Sequence, residues 1–137
     1  MLFRSGDVCR DVADDLRRRL ESAVSRSGLP PEFFMLDPGI GFAKTPEQNL
    51  ELIAGIGRLR DLGRPVLLGP SRKSFIGRLL GRPDPKEREW GTAGAVAAGV
   101  LAGADVLRVH NVRAMADVVR VAAAVRVHLG VLPEHRG

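Results

Sequence analysis

Three short apolar runs, each followed by a stretch with helical periodicity, constrain this 137-residue chain more than any other feature. The runs are Phe33-Phe34-Met35-Leu36, Pro65-Val66-Leu67-Leu68 and Asp105-Val106-Leu107-Arg108-Val109. Each is too short for a helix, is bounded by Gly, Pro or Asp, and lacks the alternation of a half-exposed strand. Each therefore reads as a buried strand covered on both faces.

The intervening segments read as helices. Val8, Val12, Leu16, Leu20 and Val24 recur every four residues and predict an amphipathic helix over 7–27, closed by Gly28 and kept closed by Pro30 and Pro31. Thr45 followed by Pro46 and Gln48 is a capping-box signature, and the helix it opens is predicted to run to 62. Ser71 is placed to cap a short helix containing Phe75, Ile76, Leu79 and Leu80. An Ala- and Gly-rich helix is predicted over 86–102, and a last one over 113–129 with Val118, Ala122, Val125 and Leu129 on its inner face. The tail from Pro133 to Gly137 is expected to fray. Strands alternating with helices imply parallel pairing through right-handed crossovers. The fold class is thus α/β, over residues 1–137 as one domain, with no linker. The chain is short of the roughly 200–250 residues that a closed eight-unit barrel needs.

The net charge is +5, carried almost wholly by arginine, with lysine only at 44, 73 and 86. A basic balance suits an anionic partner. The chain has no Tyr and few aromatics, so it offers no platform for stacking bases, and a small phosphorylated substrate is expected rather than nucleic acid. Cys9 is the one cysteine. It cannot form an internal disulfide, and its helical position makes it a small core residue rather than a reactive thiol. Three histidines without paired ligand spacing make no zinc site, and His128 and His135 read as surface residues. No run is long enough to span a bilayer, and the first nine residues lack the apolar core of a signal peptide, so no membrane is expected and a cytoplasmic setting is.

Parallel α/β folds gather functional groups at the C-terminal ends of their strands, and polar residues follow each run here. Asp37 ends the first, and is either a turn former or a carboxylate at a rigid strand end. Ser71, Arg72 and Lys73 follow the second. Cations there oppose the helix dipole, so they are either merely solvated or matched to an anionic or carbonyl-bearing ligand. Arg108 and His110 lie two apart on the third and share a face. They form either a rim pair or an oxyanion clamp.

Taken together, the segments 36–45 (LDPGIGFAKT), 69–75 (GPSRKSF) and 108–112 (RVHNV), in this order and spacing, resemble dihydropteroate synthase, as do Glu87-Arg88 and Gly91-Thr92. The resemblance runs over nearly the whole chain. It implies the last three βα units of a (β/α)8 TIM barrel, with the N-terminal half of the barrel absent. The family condenses a hydroxymethyl-dihydropterin pyrophosphate with p-aminobenzoate, as a transferase of folate biosynthesis. By motif, Asp37 would bind the pterin's amino-pyrimidine edge, with Phe42 beside it. Lys73 would bond the pterin and line the aminobenzoate site, with Arg72 nearby and Ser74 at the aminobenzoate carboxylate. Arg108 would stack on the pterin and, with His110, engage the pyrophosphate. Asp37, Lys73, Arg108 and His110 would be catalytic. The resemblance also implies Mg2+, with ligands mainly from the absent part and none in this segment, and a homodimer through the last helices. Ala43 and Asn111 replace the family's usual glycine and aspartate. The competing readings are a related methyltetrahydrofolate-binding barrel without synthase activity, and an inactive truncated paralogue.

Overall fold

The computed structural model describes residues 6–130. Its elements follow the expected order: α1 (Val8–Ser27), a 3-10 turn (Pro31–Phe33), α2 (Pro46–Ala54), α3 (Ile56–Arg60), β1 (Leu67–Leu68), α4 (Ser74–Leu80), a second 3-10 turn (Pro85–Arg88), α5 (Glu89–Ala102), β2 (Val106–Leu107) and α6 (Val112–Leu129). β1 and β2 pair in parallel, Leu67 opposite Val106 and Leu68 opposite Leu107. Leu36 forms a parallel bridge to Val66 on the other side. Three parallel segments thus lie side by side, each followed by helix.

The local signals act as their chemistry demands. Asp7 caps α1 by accepting from the Arg10 amide, and Gly28 closes it in the left-handed region. Thr45 and Gln48 form both bonds of the capping box. The helices share one core with the strands, built from residues such as Val12, Leu16, Leu36, Leu52, Ile56, Leu59, Val66 and Leu68. Leu68 points at α5, where a Cβ on Gly99 would collide with its side chain.

Arginines fasten the N-terminal ends of the strands. Arg64 donates to the carbonyls of Phe34 and Glu32. Asp105, ion-paired with Arg60, accepts from the Val66 amide. Arg126 of α6 donates to the carbonyls of Val100 and Ala104, so α6 is tied to the end of α5.

Several expectations need correction. The run 33–36 is no continuous buried strand: its start is a 3-10 turn, Phe33 is 71% and Met35 53% exposed, and only Leu36 is buried and paired. The third run pairs only over Val106–Leu107, and Val106 is 36% exposed. Leu36, Val66 and Leu68 are buried against the helices, whereas Met35 and Val106, which alternate with buried or half-buried neighbours, meet solvent among the described residues. The helix predicted over 46–62 breaks at Gly55, which caps α2 and opens α3. The helix predicted over 86–102 begins as a 3-10 turn and becomes α only at Glu89. On α6 the buried residues are Met115 and Ala122, whereas Val125 and Leu129 are exposed. His128 is exposed as expected, while His135 and the tail lie outside the described residues.

Gly55 is fixed by α1. A Cβ there would collide with the Cys9 sulfur, whose thiol donates to the Glu51 carbonyl at 3.4 Å. Burial pushes that thiol up from its ordinary value, so Cys9 is an inert core contact, as its helical position implied. Gly55→Ala is expected to cost about 1–3 kcal/mol by overpacking this crossing, read as a lower urea midpoint. The cost should shrink in a Cys9→Ala background, where the colliding atom is gone. Equal costs in the two backgrounds would show that the crossing is not what fixes Gly55.

Candidate functional site

The loops that leave the strand ends surround two adjoining hollows. The larger, about 570 Å³, is lined by Gly69, Ser71, Arg72, Lys73, Asp84, Pro85, Lys86, Arg108, Val109 and His110. The smaller, about 310 Å³, is lined by Asp37, Phe42, Ala43 and Lys44 with Val12, Leu16 and Arg19 of α1 among others. Lys73 joins them. It lines the larger hollow, and its ammonium sits 4.4 Å from the centroid of Phe42, a residue of the smaller one.

Arg108, Lys73, Arg72 and His110 are therefore brought together, and Asp37 and Phe42 lie next door rather than in the same cavity. Ser74 is exposed at the start of α4 and lines neither hollow. Asp37 forms a turn, accepting from the Gly39 amide at 2.8 Å, and also lines the smaller hollow. Arg108 follows β2 directly. Its amide donates to the Leu68 carbonyl at 2.9 Å, and its guanidinium makes no hydrogen bond among the described residues. It is the kind of unspent planar donor that phosphate oxygens require.

Ser71 departs from its expected role. It does not cap α4, whose N-cap is Lys73 without a side-chain bond. Instead its buried hydroxyl lies 2.7 Å from His110 Nδ1 and also accepts the His110 backbone N–H at 3.2 Å. With its oxygen accepting that N–H, the hydroxyl hydrogen is available to Nδ1. The bond to Ser71 occupies Nδ1 and leaves Nε2 directed away from the hydroxyl. Asn111, the second departure from the family pattern, caps α6 by accepting from the Ala114 amide. His110 is thus oriented by Ser71, and the change from aspartate to asparagine preserves a good N-cap.

The loop after Leu36 is shaped from below. Buried Asn49 accepts the Gly41 N–H at 2.8 Å and donates to the Thr45 carbonyl at 3.0 Å. Lys44 folds back to donate to the carbonyls of Gly39 and Phe42. Burial lowers its pKa, against the opposing pull of Asp37. Ala43 has φ 52°, in the left-handed region where the family's usual glycine is at ease.

Asp84, Lys86, Asn49, Arg88 and Thr92 had no role in the sequence reading of the site. Lys86 adds a cation to the larger hollow, and Asp84 accepts from the Lys86 amide at 2.9 Å. Four cationic side chains and a histidine thus face one carboxylate among the lining residues. The arrangement can hold an anion and neutralise charge developing on it.

Comparison with known proteins fits this geometry. The sequence model described as pterin binding enzyme matches residues 2–110. The chain belongs to the pterin-binding enzyme family. Within that family, the dihydropteroate synthase of Synechocystis sp. is 49% identical over 117 residues, covering 83% of this chain and 40% of that protein. The mitochondrial folate synthesis bifunctional protein of Arabidopsis thaliana is 42% identical over 127 residues, covering 86% of this chain and 23% of that one. The structure of dihydropteroate synthase from Xanthomonas albilineans in complex with 7,8-dihydropteroate superposes with a TM-score of 0.83 at 38% identity, covering 95% of this chain and 48% of that one. The chain spans less than half the length of each of these relatives.

Two substitutions test the loop that carries Phe42. Asn49→Ala is expected to cost about 1–3 kcal/mol, because it orphans the Gly41 N–H. Ala43→Gly should gain up to about 1 kcal/mol, the left-handed strain of alanine less the extra freedom glycine brings to the unfolded chain. Chemical denaturation measures both. A neutral Asn49→Ala would mean that solvent replaces the bond, and a destabilising Ala43→Gly that the loop carries no strain at that residue.

Proposed function

We propose that this chain supplies the last three βα units of a (β/α)8 dihydropteroate synthase, which joins a hydroxymethyl-dihydropterin pyrophosphate to p-aminobenzoate. The observation that carries the proposal is the cluster of Arg72, Lys73, Lys86, Arg108 and His110 around one cavity at the ends of parallel strands, joined through Lys73 to the hollow lined by Asp37 and Phe42.

The chemistry asks for this division. In the synthase reaction the bond between the pterin's exocyclic carbon and the pyrophosphate oxygen breaks, and its electron pair leaves with pyrophosphate. The aminobenzoate nitrogen forms the new bond to that carbon and gives up a proton. The protein has no covalent intermediate to build. It must neutralise the leaving group and stabilise a carbon centre that becomes electron-poor. Arg108 and His110, the latter through Nε2, would serve the pyrophosphate. Asp37 has one oxygen on Gly39 and would offer its carboxylate to the amino-pyrimidine edge and to the cationic pterin, with Phe42 beside it. Lys73 lies between the hollows and would bond the pterin while its stem lines the aminobenzoate side, flanked by Arg72. Ser74, at the start of α4, would meet the aminobenzoate carboxylate from the outer edge.

The described residues of the larger hollow do not fit a Mg2+ of their own, since its cations outnumber its one lining carboxylate. No cluster of metal-ligating side chains occurs among the described residues. The proposal leaves the metal to ligands elsewhere in the complete barrel. The exposed apolar residues of α6, Val121, Val125 and Leu129, support a homodimer through the last helices. No helix among the described residues is long and apolar enough to cross a membrane. The proposal sets the protein in the cytoplasm, where an unpaired cysteine stays reduced.

The chain on its own is expected to turn over neither substrate. Grafted in place of the matching segment of the Synechocystis enzyme, it should restore turnover. In that graft Lys73→Ala is expected to lower kcat/KM by 10²-fold or more, the range for removing one preorganised charge-stabilising donor, with the unfolding midpoint unchanged. Turnover by the isolated chain would overturn the division of labour, and unchanged kinetics would remove Lys73 from the site. Calorimetric titration of the graft with the pterin pyrophosphate, with and without Mg2+, separates a synthase from a methyltetrahydrofolate-binding barrel.

A further inference from the structure

We infer that Thr92 and Arg88, which do not line the cavity, are positioning residues that hold Lys73 over Phe42 by clamping the backbone of Arg72. The functional meaning of this inference rests on the role proposed for Lys73, whereas the geometry stands apart from it.

Arg72 has φ 57°, and Ala43 is the other non-glycine residue with positive φ among the described residues. It is the third residue of a turn closed by the Lys73 amide on the Pro70 carbonyl at 3.2 Å. Positive φ at that position of a turn favours glycine or asparagine, and a long side chain takes it only where neighbours enforce it. Here the neighbours are identifiable. The Arg72 N–H donates to Thr92 Oγ1 at 3.0 Å, and the Arg72 carbonyl accepts from Arg88 Nη1 at 2.8 Å. Both backbone polar groups of one strained residue are thus taken by side chains, Arg88 from the end of the second 3-10 turn and Thr92 from the first turn of α5.

Both partners are buried, Thr92 completely. The Arg88 guanidinium is held in turn by the carbonyls of Arg82 and Pro83 at 2.9 and 2.7 Å, in a space kept open because residue 77 is glycine: a Cβ there would come within 2.6 Å of two guanidinium atoms and closer still to the third. Relaxing Arg72 to negative φ would leave a buried hydroxyl and a buried guanidinium donor without partners, which outweighs the strain relieved. The Arg72 side chain contributes less. It reaches Glu89 at 3.2 Å, but Arg72 Nε and Glu89 Oε1 are buried without hydrogen bonds among the described residues. The clamp is therefore on the backbone.

Lys73 is the next residue, and its direction follows from the turn. Its stem passes so close to Gly41 that a Cβ there would lie 2.9 Å from Cδ, and its ammonium ends over Phe42. A Thr92 hydroxyl and an Arg88 guanidinium thus set where a lysine points without touching it.

The chain has only three lysines, so amine acylation followed by peptide mass spectrometry reads Lys73 against Lys44 and Lys86 in the full chain. In the wild type Lys73 should label more slowly than the solvent-facing Lys86. Thr92→Val keeps the volume and removes the hydroxyl, and should speed labelling at Lys73 roughly two- to fivefold, as expected for loss of an exposed cation–π contact, with Lys44 unchanged. Thr92→Ser should label as the wild type does. The inference is overturned if Lys73 labels as fast as Lys86 in the wild type, if Thr92→Val leaves it unchanged, or if Thr92→Ser accelerates it as much. Should all three lysines accelerate together in Thr92→Val, the decision passes to Arg72→Gly in that background. Glycine takes the left-handed angle unaided, so recovered slow labelling at Lys73 supports the clamp and its absence overturns it. Turnover of the grafted enzyme judges the role of Lys73 separately: a Thr92→Val graft whose labelling shifts at constant kcat keeps the clamp and removes the lysine from the chemistry.

Discussion

Parallel pairing of three very short strand segments is the constraint on which everything else rests. The Leu36 amide donates to Pro65, the Leu67 amide to Leu36, and the Arg108 amide to Leu68, at 2.8, 2.8 and 2.9 Å. These few bonds run all three segments in one direction, so the residues that follow them emerge at one end. The last of the three also fixes the backbone of Arg108, a cavity-lining residue, against the end of β1. Arginines and Asp105 at the opposite end keep the segments from sliding, which lets so little sheet hold a register.

Polar burial follows the same division. The buried polar side chains among the described residues are Asn49, Ser71, Arg88 and Thr92, and each is bonded to a loop at the functional end. Replacing such groups with apolar ones of equal shape is often neutral for stability, so their placement specifies loop conformation more than it stabilises the fold. The two strained non-glycine residues, Ala43 and Arg72, lie in the same loops, beside Phe42 and Lys73. Strain gathered at one end, and enforced by buried partners, is what a preorganised site requires.

What the sequence could disclose was local. The periodicity of α1, the capping box at Thr45, the core position of Cys9 and the polar residue after each apolar run are signals contained within a few residues, and each has its counterpart in the structure. What stayed hidden depends on partners far along the chain. A serine before a short helix is a good N-cap by local rules, and nothing nearby reveals a histidine 39 residues away that takes its hydroxyl. Gly55 lies inside the helix predicted over 46–62, and nothing near it in the sequence shows that Cys9 of α1 packs against it. The run 33–36 has the composition of a strand covered on both sides, but composition cannot say what will be covered, and Phe33, in a 3-10 turn, and Met35 are exposed. Arg88 and Thr92 stood out only as part of the family resemblance, since a buried arginine and a buried threonine acquire a structural role only from the carbonyl and amide they meet.

The arginines show how the site can be told from the scaffold without reference to any relative. Arg58 is spent on Asp7, Arg64 and Arg126 on backbone carbonyls, and Arg88 on three carbonyls. A guanidinium so engaged has little left to offer a ligand. Arg108 lines the cavity and makes no side-chain hydrogen bond among the described residues, while the Lys73 ammonium sits over the face of the Phe42 ring. Cations brought this close repel one another, and the fold gains nothing from leaving their donors unused. Unused donors gathered at one cavity suit an anionic ligand, whose oxygens can take them up. The basic charge of the chain is therefore two populations, one holding strand ends and loops in place and the other held in reserve at the opposite end of the same strands.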